Sequence, residues 1–224
     1  MNLYPEEPSF APWHGVSLHD FTTDFIGKSN TVDVHVIAID GRSGGGKSTL
    51  ASILADALPN SALLHTDDIA WHHSFFDWQD ILIEHVLKPL TANIAVSYRP
   101  EAWQHHGRAG AIEIPFTSQF VILEGVGAGR RELSNYVSQL IWVQSDSIQA
   151  RLQGVARDEG GTDVEAFWDE WLASERPFLA DQQPWLRADR VVLGVTENSQ
   201  PPSLGVIKVS SQTSQEARCL ITPG

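Results

Sequence analysis

The nine residues from Gly41 to Thr49 read Gly-Arg-Ser-Gly-Gly-Gly-Lys-Ser-Thr and fit the phosphate-binding pattern Gly-x4-Gly-Lys-Ser/Thr. Glycines let successive backbone N–H groups turn inward, and they let the chain approach a polyphosphate closely. Lys47 supplies a positive charge to the β- and γ-phosphates, and the Ser48 hydroxyl is a ligand for magnesium. The pattern therefore predicts a loop that binds ATP and Mg²⁺ through Gly41, Ser43, Gly44, Gly45, Gly46, Lys47, Ser48 and Thr49.

Two further expectations concern the same loop. Thr49 is expected to hydrogen-bond the α-phosphate, and Lys47 is expected to reach the phosphates without packing into the core. A dinucleotide site is excluded, because no Gly-x-Gly-x-x-Gly opens a helix here. The alternative is a flexible glycine turn with a solvated lysine, which the predicted strand before the loop and the predicted helix after it disfavour.

Three carboxylates follow predicted strands. Asp67 and Asp68 come after the second strand, at the sheet edge where α/β proteins bind ligands. One of the two aspartates is suited to act as the base that accepts the proton of an acceptor hydroxyl, and the other is suited to bind magnesium or a substrate hydroxyl. The alternative is that an aspartate caps the segment that follows. Glu124 ends the third apolar strand and is expected to face magnesium together with Ser48 and Asp68, the alternative being a solvated charge.

Basic and aromatic residues supply candidates for the remaining roles. Arg151 and Arg157 lie on a predicted helix that runs into Gly160-Gly161, and a mobile basic segment can close over phosphates. A solvated helix face is the alternative. On the substrate side, aromatic rings can stack on a base or sugar, and an arginine can pair with an anionic group. The candidates there are Trp71, Tyr98 and Arg99, with core packing as the alternative for the tryptophans, and Glu175 is an outside candidate for the site.

The elements that position these residues alternate between short apolar runs and helical spacing, which predicts a parallel α/β sheet. Strands are predicted at 34–39, 62–65, 120–123, 140–143 and 191–193, with a possible edge strand at 205–209. Helices are predicted at 47–58, 78–90, 147–157 and 164–179, and a surface helix around 16–26. We expect an N-terminal extension at 1–31, a core domain at 32–195 and a C-terminal extension at 196–224, whose tail from Ser210 is predicted to be mobile.

Composition limits the classes of partner. The net charge of −13, from 15 basic and 28 acidic residues, disfavours binding to nucleic acid and to anionic membranes. A single cysteine, Cys219, cannot close an intrachain disulfide. The N-terminus lacks the pattern of a signal peptide, and no stretch has the length of a membrane span. We expect a cytoplasmic monomer or homodimer.

With these motifs the chain resembles the uridine kinase-like branch of the P-loop nucleoside and nucleotide kinases. The resemblance covers about residues 34 to 195 and rests on Ile39 to Thr49, Asp67-Asp68, Val86 to Leu90, Leu123 to Gly125, Arg151 to Asp158 and Ala188-Asp189. It implies a three-layer α/β/α P-loop NTPase fold with a five-stranded parallel sheet, and use of ATP and Mg²⁺. It also implies lid arginines at Arg151 and Arg157 and a catalytic aspartate at Asp67 or Asp68, of which Asp67 is the closer match.

Two departures concern the acceptor. Ile69-Ala70-Trp71 follows the aspartates where uridine kinases have a Phe-Tyr pair, and Tyr98 to Trp103 replaces their Asn and His signature for the sugar. These differences argue against uridine. The sequence thus predicts a phosphotransferase with an alcohol group as acceptor, acting on a nucleoside-like or other small metabolite. The alternatives are an ATPase or switch that moves a partner, and an ATP-binding protein without turnover.

Overall fold

A seven-stranded sheet forms the centre of the fold in the computed structural model, which describes residues 1–28, 34–158, 163–197 and 206–212. Its strands are β1 (Trp13–Ser17), β2 (His35–Gly41), β3 (Ser61–His65), β6 (Phe120–Glu124), β7 (Gln139–Gln144), β8 (Arg190–Leu193) and β9 (Val206–Ser210). Two further strands, β4 (Val96–Tyr98) and β5 (Ile112–Ile114), form a separate antiparallel pair.

Five adjacent strands of the large sheet are parallel, in the order β8-β7-β2-β6-β3. Every residue of β6 and β7 is buried, as expected for strands covered on both faces. The predicted five-stranded parallel sheet is confirmed. A strand also forms near 205–209, as β9, but it is not at the edge: β1 pairs with it antiparallel and takes the outer position, because the N-terminal segment supplies its own strand.

The helices lie close to their predicted positions. The segment predicted at 78–90 contains two α-helical parts joined by a π-helical turn, Ile83–Leu87. Short helices after β3 and β4 were not predicted. The α-helices are α1 (Leu18–Lys28), α2 (Lys47–Ala57), α3 (Thr66–Ala70), α4 (Gln79–Leu82), α5 (Lys88–Thr91), α6 (Glu101–His105), α7 (Ser147–Arg157) and α8 (Val164–Gln182), with 3₁₀ turns at Arg131–Leu133 and Pro184–Leu186.

The helices cover both faces of the sheet and give three layers. Successive residues of β2 point to opposite faces, so Val36 and Ala38 join one apolar cluster while Ile37 and Ile39 join the other. One cluster includes Leu82 of α4 and Leu179 of α8, and the other includes residues of α1 and α2. The carboxyl ends of the parallel strands are thereby left at one edge, where ligands bind in such folds.

Several expectations fall outside the described residues: Cys219, the tail from residue 213, the 198–203 part of the C-terminal loop, and Gly160-Gly161. Among the helices that the structure describes, none has the length and apolar character to cross a membrane.

Candidate active site

The phosphate loop connects the end of β2, at Gly41, to the start of α2, at Lys47. Gly44 and Gly46 have φ angles of 72° and 98°, in the left-handed region that glycine adopts without strain. A Cβ atom at Gly44 would also collide with the carbonyl oxygen of Ala150 in α7. The loop therefore requires glycine both for its backbone turn and for its close approach to α7.

The Lys47 side chain lies inside the phosphate loop. Its Nζ atom donates a hydrogen bond to the carbonyl oxygen of Arg42 at 3.1 Å, and the residue is only 6% exposed. The Lys47 amine is therefore held by the backbone of the phosphate loop, and the side chain is buried there. Ser48 and Thr49, in the first turn of α2, are exposed and accessible to a ligand.

Glu124 ends β6 between two neighbouring strands and faces the phosphate loop. In the strand register it lies beside His65 of β3, and the two side chains meet with Nδ1 of His65 2.6 Å from Oε2 of Glu124. Burial favours a raised pKa for Glu124, but the hydrogen bond from His65, the charges of Lys47 and His65, and a hydrogen bond with Ser48 together lower the pKa. Glu124 is therefore an ionised carboxylate beside the Ser48 hydroxyl.

Asp67 is the second residue of α3, directly after β3. The surrounding protein raises the pKa of Asp67 by desolvation, and the negative charge of Glu124 adds to the rise while the charge of Lys47 opposes it. These effects mean that Asp67, Glu124 and Lys47 share one electrostatic environment. A carboxylate with a raised pKa is suited to accept a proton.

Asp68 has a different environment from Asp67. The Nη2 atom of Arg108 lies 2.5 Å from its Oδ1 atom, and the Arg108 guanidinium stacks 3.6 Å from the ring centroid of Trp103. The Arg108 guanidinium also lies 5.4 Å from the ring centroid of Trp71. Asp68, Trp71 and Arg108 thus form a partly buried cluster next to Asp67, and sequence reasoning missed Arg108.

The other two predicted substrate residues, Tyr98 and Arg99, contact residues other than the aspartates. Tyr98 stacks on His85 with 4.2 Å between ring centroids. Arg99 donates a hydrogen bond from Nη2 to the carbonyl oxygen of Arg108 at 2.9 Å, so it supports the segment that carries Arg108. Arg108 therefore links both Trp71 and Arg99 to Asp68.

The two predicted lid arginines have different surroundings. Arg151 forms ion pairs with Glu165 and Asp169 of α8, at 2.5 and 3.0 Å. The pKa of Arg157 is raised by its hydrogen bond to Asp158 and further by the charges of Asp67 and Glu124. Of these two arginines, Arg157 is the one whose charge interacts with Asp67 and Glu124.

Magnesium is compatible with the oxygen atoms at the end of the loop. The ionised Glu124 and the adjacent Ser48 hydroxyl are hard oxygen ligands, and Mg²⁺ takes one or two such ligands and completes its shell with phosphates and water. Across the described ranges, no three His, Cys, Asp or Glu side chains lie close enough to hold a metal ion by themselves. Asp68 fits this role less well than Glu124, because Glu124 is hydrogen-bonded with Ser48 whereas the Asp68 carboxylate is paired with Arg108.

Asp40 connects the phosphate loop to the segment after Glu124. Its buried carboxylate accepts hydrogen bonds from the backbone N–H groups of Gly41, Gly127 and Gly129, at 2.7 to 3.0 Å. Burial raises the pKa of Asp40 to about 6, although these bonds oppose the rise. Asp40 thus fixes the spacing between the loop and the strand end that carries Glu124.

Comparison with known proteins gives matches at the level of structure. No family model and no curated protein matches the sequence. The YGR205w protein is 14% identical, with 86% of this chain and 97% of that chain covered and a TM-score of 0.55. A candidate fructose transport system kinase from a Silicibacter species is 15% identical, covering 75% and 93%, with a TM-score of 0.54.

A candidate uridine kinase from Bacillus stearothermophilus is 22% identical over 77% of this chain and 95% of that chain, with a TM-score of 0.45. The two likenesses above 0.5 concern the fold alone. Together with the strand–loop–helix at Gly41 to Lys47 and the order of the five parallel strands, they show that this chain has the three-layer α/β/α fold of the P-loop NTPases.

Proposed function

We propose that the protein is an ATP-dependent kinase that transfers the γ-phosphoryl group to a hydroxyl of a small molecule, either nucleoside-like or another small metabolite. The observation that carries this proposal is the grouping of Asp67, Lys47 and Glu124. A phosphate-loop lysine, an ionised carboxylate at a strand end and a second carboxylate with a raised pKa act on one another electrostatically. This grouping suits a kinase, because transfer to a hydroxyl is helped by a proton acceptor close to the groups that bind the phosphates.

Each group then has a role. Backbone N–H groups of the loop bind the phosphates, Lys47 neutralises charge on the β- and γ-phosphates, and Thr49 bonds the α-phosphate. Asp67 accepts the proton of the acceptor hydroxyl. The hydroxyl oxygen attacks the γ-phosphorus, and the bond between that phosphorus and the β–γ bridging oxygen breaks, so that ADP leaves. Arg157 supplies positive charge during transfer. Bound magnesium, held by Ser48 and Glu124, would neutralise negative charge on the phosphates.

The acceptor is proposed to bind at the cluster of Asp68, Arg108 and Trp71. The cluster offers an aromatic surface, a carboxylate that accepts hydroxyl hydrogen bonds, and a guanidinium. Its position after Asp67 in the chain supports this assignment, and Arg99 supports it indirectly. We further propose that this kinase acts in the cytoplasm as a monomer or homodimer, and that segments 1–31 and 196–224 are extensions of the 32–195 domain.

The test is ADP formation from ATP with and without a panel of hydroxylated small molecules, including nucleosides and sugars. We expect turnover that depends on an acceptor and falls by at least about 100-fold in Lys47→Met. Lys88→Met, at an exposed lysine of α5, is the matched control and should retain activity. Equal ADP formation without any acceptor would indicate an ATPase instead, and ATP binding without ADP formation would indicate a binding protein; either result would contradict the proposal.

A further inference from the structure

Arg42 is a buried charge inside the phosphate loop. It is the second residue of the Gly-x4-Gly-Lys-Ser pattern, yet it is only 1% exposed, and its Nη2 atom forms an ion pair with Glu7, whose side chain is fully buried. Its Nε and Nη1 atoms have no hydrogen-bond partner among the described residues. Its carbonyl oxygen accepts hydrogen bonds from both Gly45 N and Lys47 Nζ. The position of Arg42 therefore affects the turn of the loop and the placement of the lysine.

Glu7 belongs to an N-terminal strap, Asn2 to Phe10, which crosses the protein next to the loop. Asn2 bonds Asp146 at the start of α7 through its backbone nitrogen at 2.6 Å. Glu7 Oε1 accepts hydrogen bonds from Trp142 Nε1 and Gln144 Nε2, each at 2.9 Å. The last strap residue, Phe10, is completely buried and bonds Gln144. The strap is thus fixed at both ends and in its middle.

A second carboxylate links the strap to the loop. Glu175 of α8 accepts hydrogen bonds from Tyr4 Oη at 3.0 Å and from the backbone nitrogen of Ser43 at 2.9 Å. The ring of Tyr4 also lies 4.2 Å from the Arg42 guanidinium carbon. Two successive loop residues, Arg42 and Ser43, are therefore held by carboxylates that the strap either supplies or hydrogen-bonds.

The ion pair between Arg42 and Glu7 is costly to break, because both side chains are buried. A buried arginine keeps its charge at any ordinary pH, and loss of its partner leaves an uncompensated charge in the protein interior. Arg42 would then have to move toward solvent, and the carbonyl that positions Gly45 and Lys47 would move with it. Loops that bind phosphate depend on backbone N–H groups that are already oriented, so such a movement weakens binding.

We infer that Glu7 and Tyr4 are positioning residues for ATP: they hold the phosphate loop in its nucleotide-binding shape through Arg42 and Glu175. The inference rests on the ATP binding proposed above. It assigns the N-terminal segment a function in nucleotide affinity in addition to any contribution to stability.

The test is calorimetric measurement of the Kd for ATP with Mg²⁺, which requires no knowledge of the acceptor. Glu7→Gln keeps the hydrogen-bond acceptor for Trp142 but removes the charge, and we expect a Kd at least about tenfold higher. Glu7→Leu combined with Arg42→Met replaces the pair by apolar groups and should return the Kd to within about threefold of wild type. Phe10→Leu, which perturbs the strap without touching Arg42, is the control and should lower the Tm with an unchanged Kd.

Tyr4→Phe is a milder variant in case Glu7→Gln does not fold. It keeps the ring beside Arg42 and removes only the hydroxyl that bonds Glu175, and we expect a Kd about two- to fivefold higher. If wild type binds ATP and both single variants bind it equally well, or if Phe10→Leu weakens binding as much as Glu7→Gln, the inference is wrong while the proposed function stands. If wild type does not bind ATP, both are wrong.

Discussion

The Oε2 atom of Glu175 lies 2.9 Å from the backbone nitrogen of Ser43, which joins α8 to the phosphate loop. The same carboxylate accepts hydrogen bonds from Tyr4 Oη and Trp171 Nε1, and the residue has no exposed surface. Three segments that are far apart in sequence therefore depend on one buried side chain. Since unsatisfied buried donors are costly, this carboxylate contributes to the stability of the loop region.

Glu175→Gln is expected to lower the free energy of unfolding by about 1 to 3 kcal/mol, because an amide has one acceptor oxygen for three donors. Urea denaturation at neutral pH measures the change. Glu170→Gln, at an exposed position of the same helix, should change it by no more than about 0.5 kcal/mol. Equal stabilities for Glu175→Gln and Glu170→Gln would contradict this account.

The His65–Glu124 pair predicts a pH-dependent contribution to stability in the absence of metal and nucleotide. The hydrogen bond to Glu124 raises the pKa of His65, so its stabilising effect is complete below the unfolded value of about 6.5 and is lost as pH rises through the higher folded value. The pKa of Glu124 is lowered, so its effect is present above about 4.5 and is lost as pH falls through the lower folded value.

His65→Gln should therefore destabilise the protein most near pH 5.5, by about 0.5 kcal/mol since His65 is partly exposed, and least near pH 9. Urea denaturation of both proteins across this range measures the difference. His19→Gln, at an exposed site on α1, should show no such trend. A difference that grows with rising pH would have the wrong sign for this pair.

Local patterns in the sequence were sufficient to predict the phosphate loop, the five parallel strands and the long helices. Those features depend on short-range periodicity and on the spacing of Gly41 to Ser48, which neighbouring residues specify. The contacts of Arg42 with Glu7 and of Asp68 with Arg108 join residues 35 and 40 positions apart, and no local pattern encodes them. His65 could more easily have been assigned to the site from the sequence, because it is the last residue of a predicted strand and lies at the same sheet edge as Asp67.

The magnesium prediction concerns Ser48. ATP with Mg²⁺ at about 100 times its Kd should stabilise wild type by about 2.7 kcal/mol by mass action, and ATP with a chelator should stabilise it less. Ser48→Ala removes the exposed hydroxyl beside Glu124 and should abolish most of that difference in thermal shift. Ser52→Ala, one turn later on α2 and also exposed, is the control. The same magnesium effect in Ser48→Ala as in wild type would exclude Ser48 as a ligand.

The two adjacent aspartates are expected to respond differently to the same substitution. Asp67 has a raised pKa and shares its environment with Lys47 and Glu124, whereas the Asp68 carboxylate is paired with Arg108. An acceptor hydroxyl is a poor nucleophile at neutral pH, so loss of the base should slow transfer by about 100-fold to 10,000-fold. The affinity for ATP should hardly change, since the base acts on the acceptor.

Asp67→Asn should therefore lower kcat strongly with the Kd for ATP within about threefold of wild type. Asp68→Asn should mainly raise the KM for the acceptor, because the weakened contact with Arg108 disturbs the surface where the acceptor is proposed to bind. Steady-state kinetics on both variants, with ATP affinity measured separately, distinguishes the two roles. If Asp68→Asn lowers kcat more than Asp67→Asn, the assignments must be exchanged, and if neither variant slows transfer tenfold, a carboxylate base at this edge of the sheet is excluded.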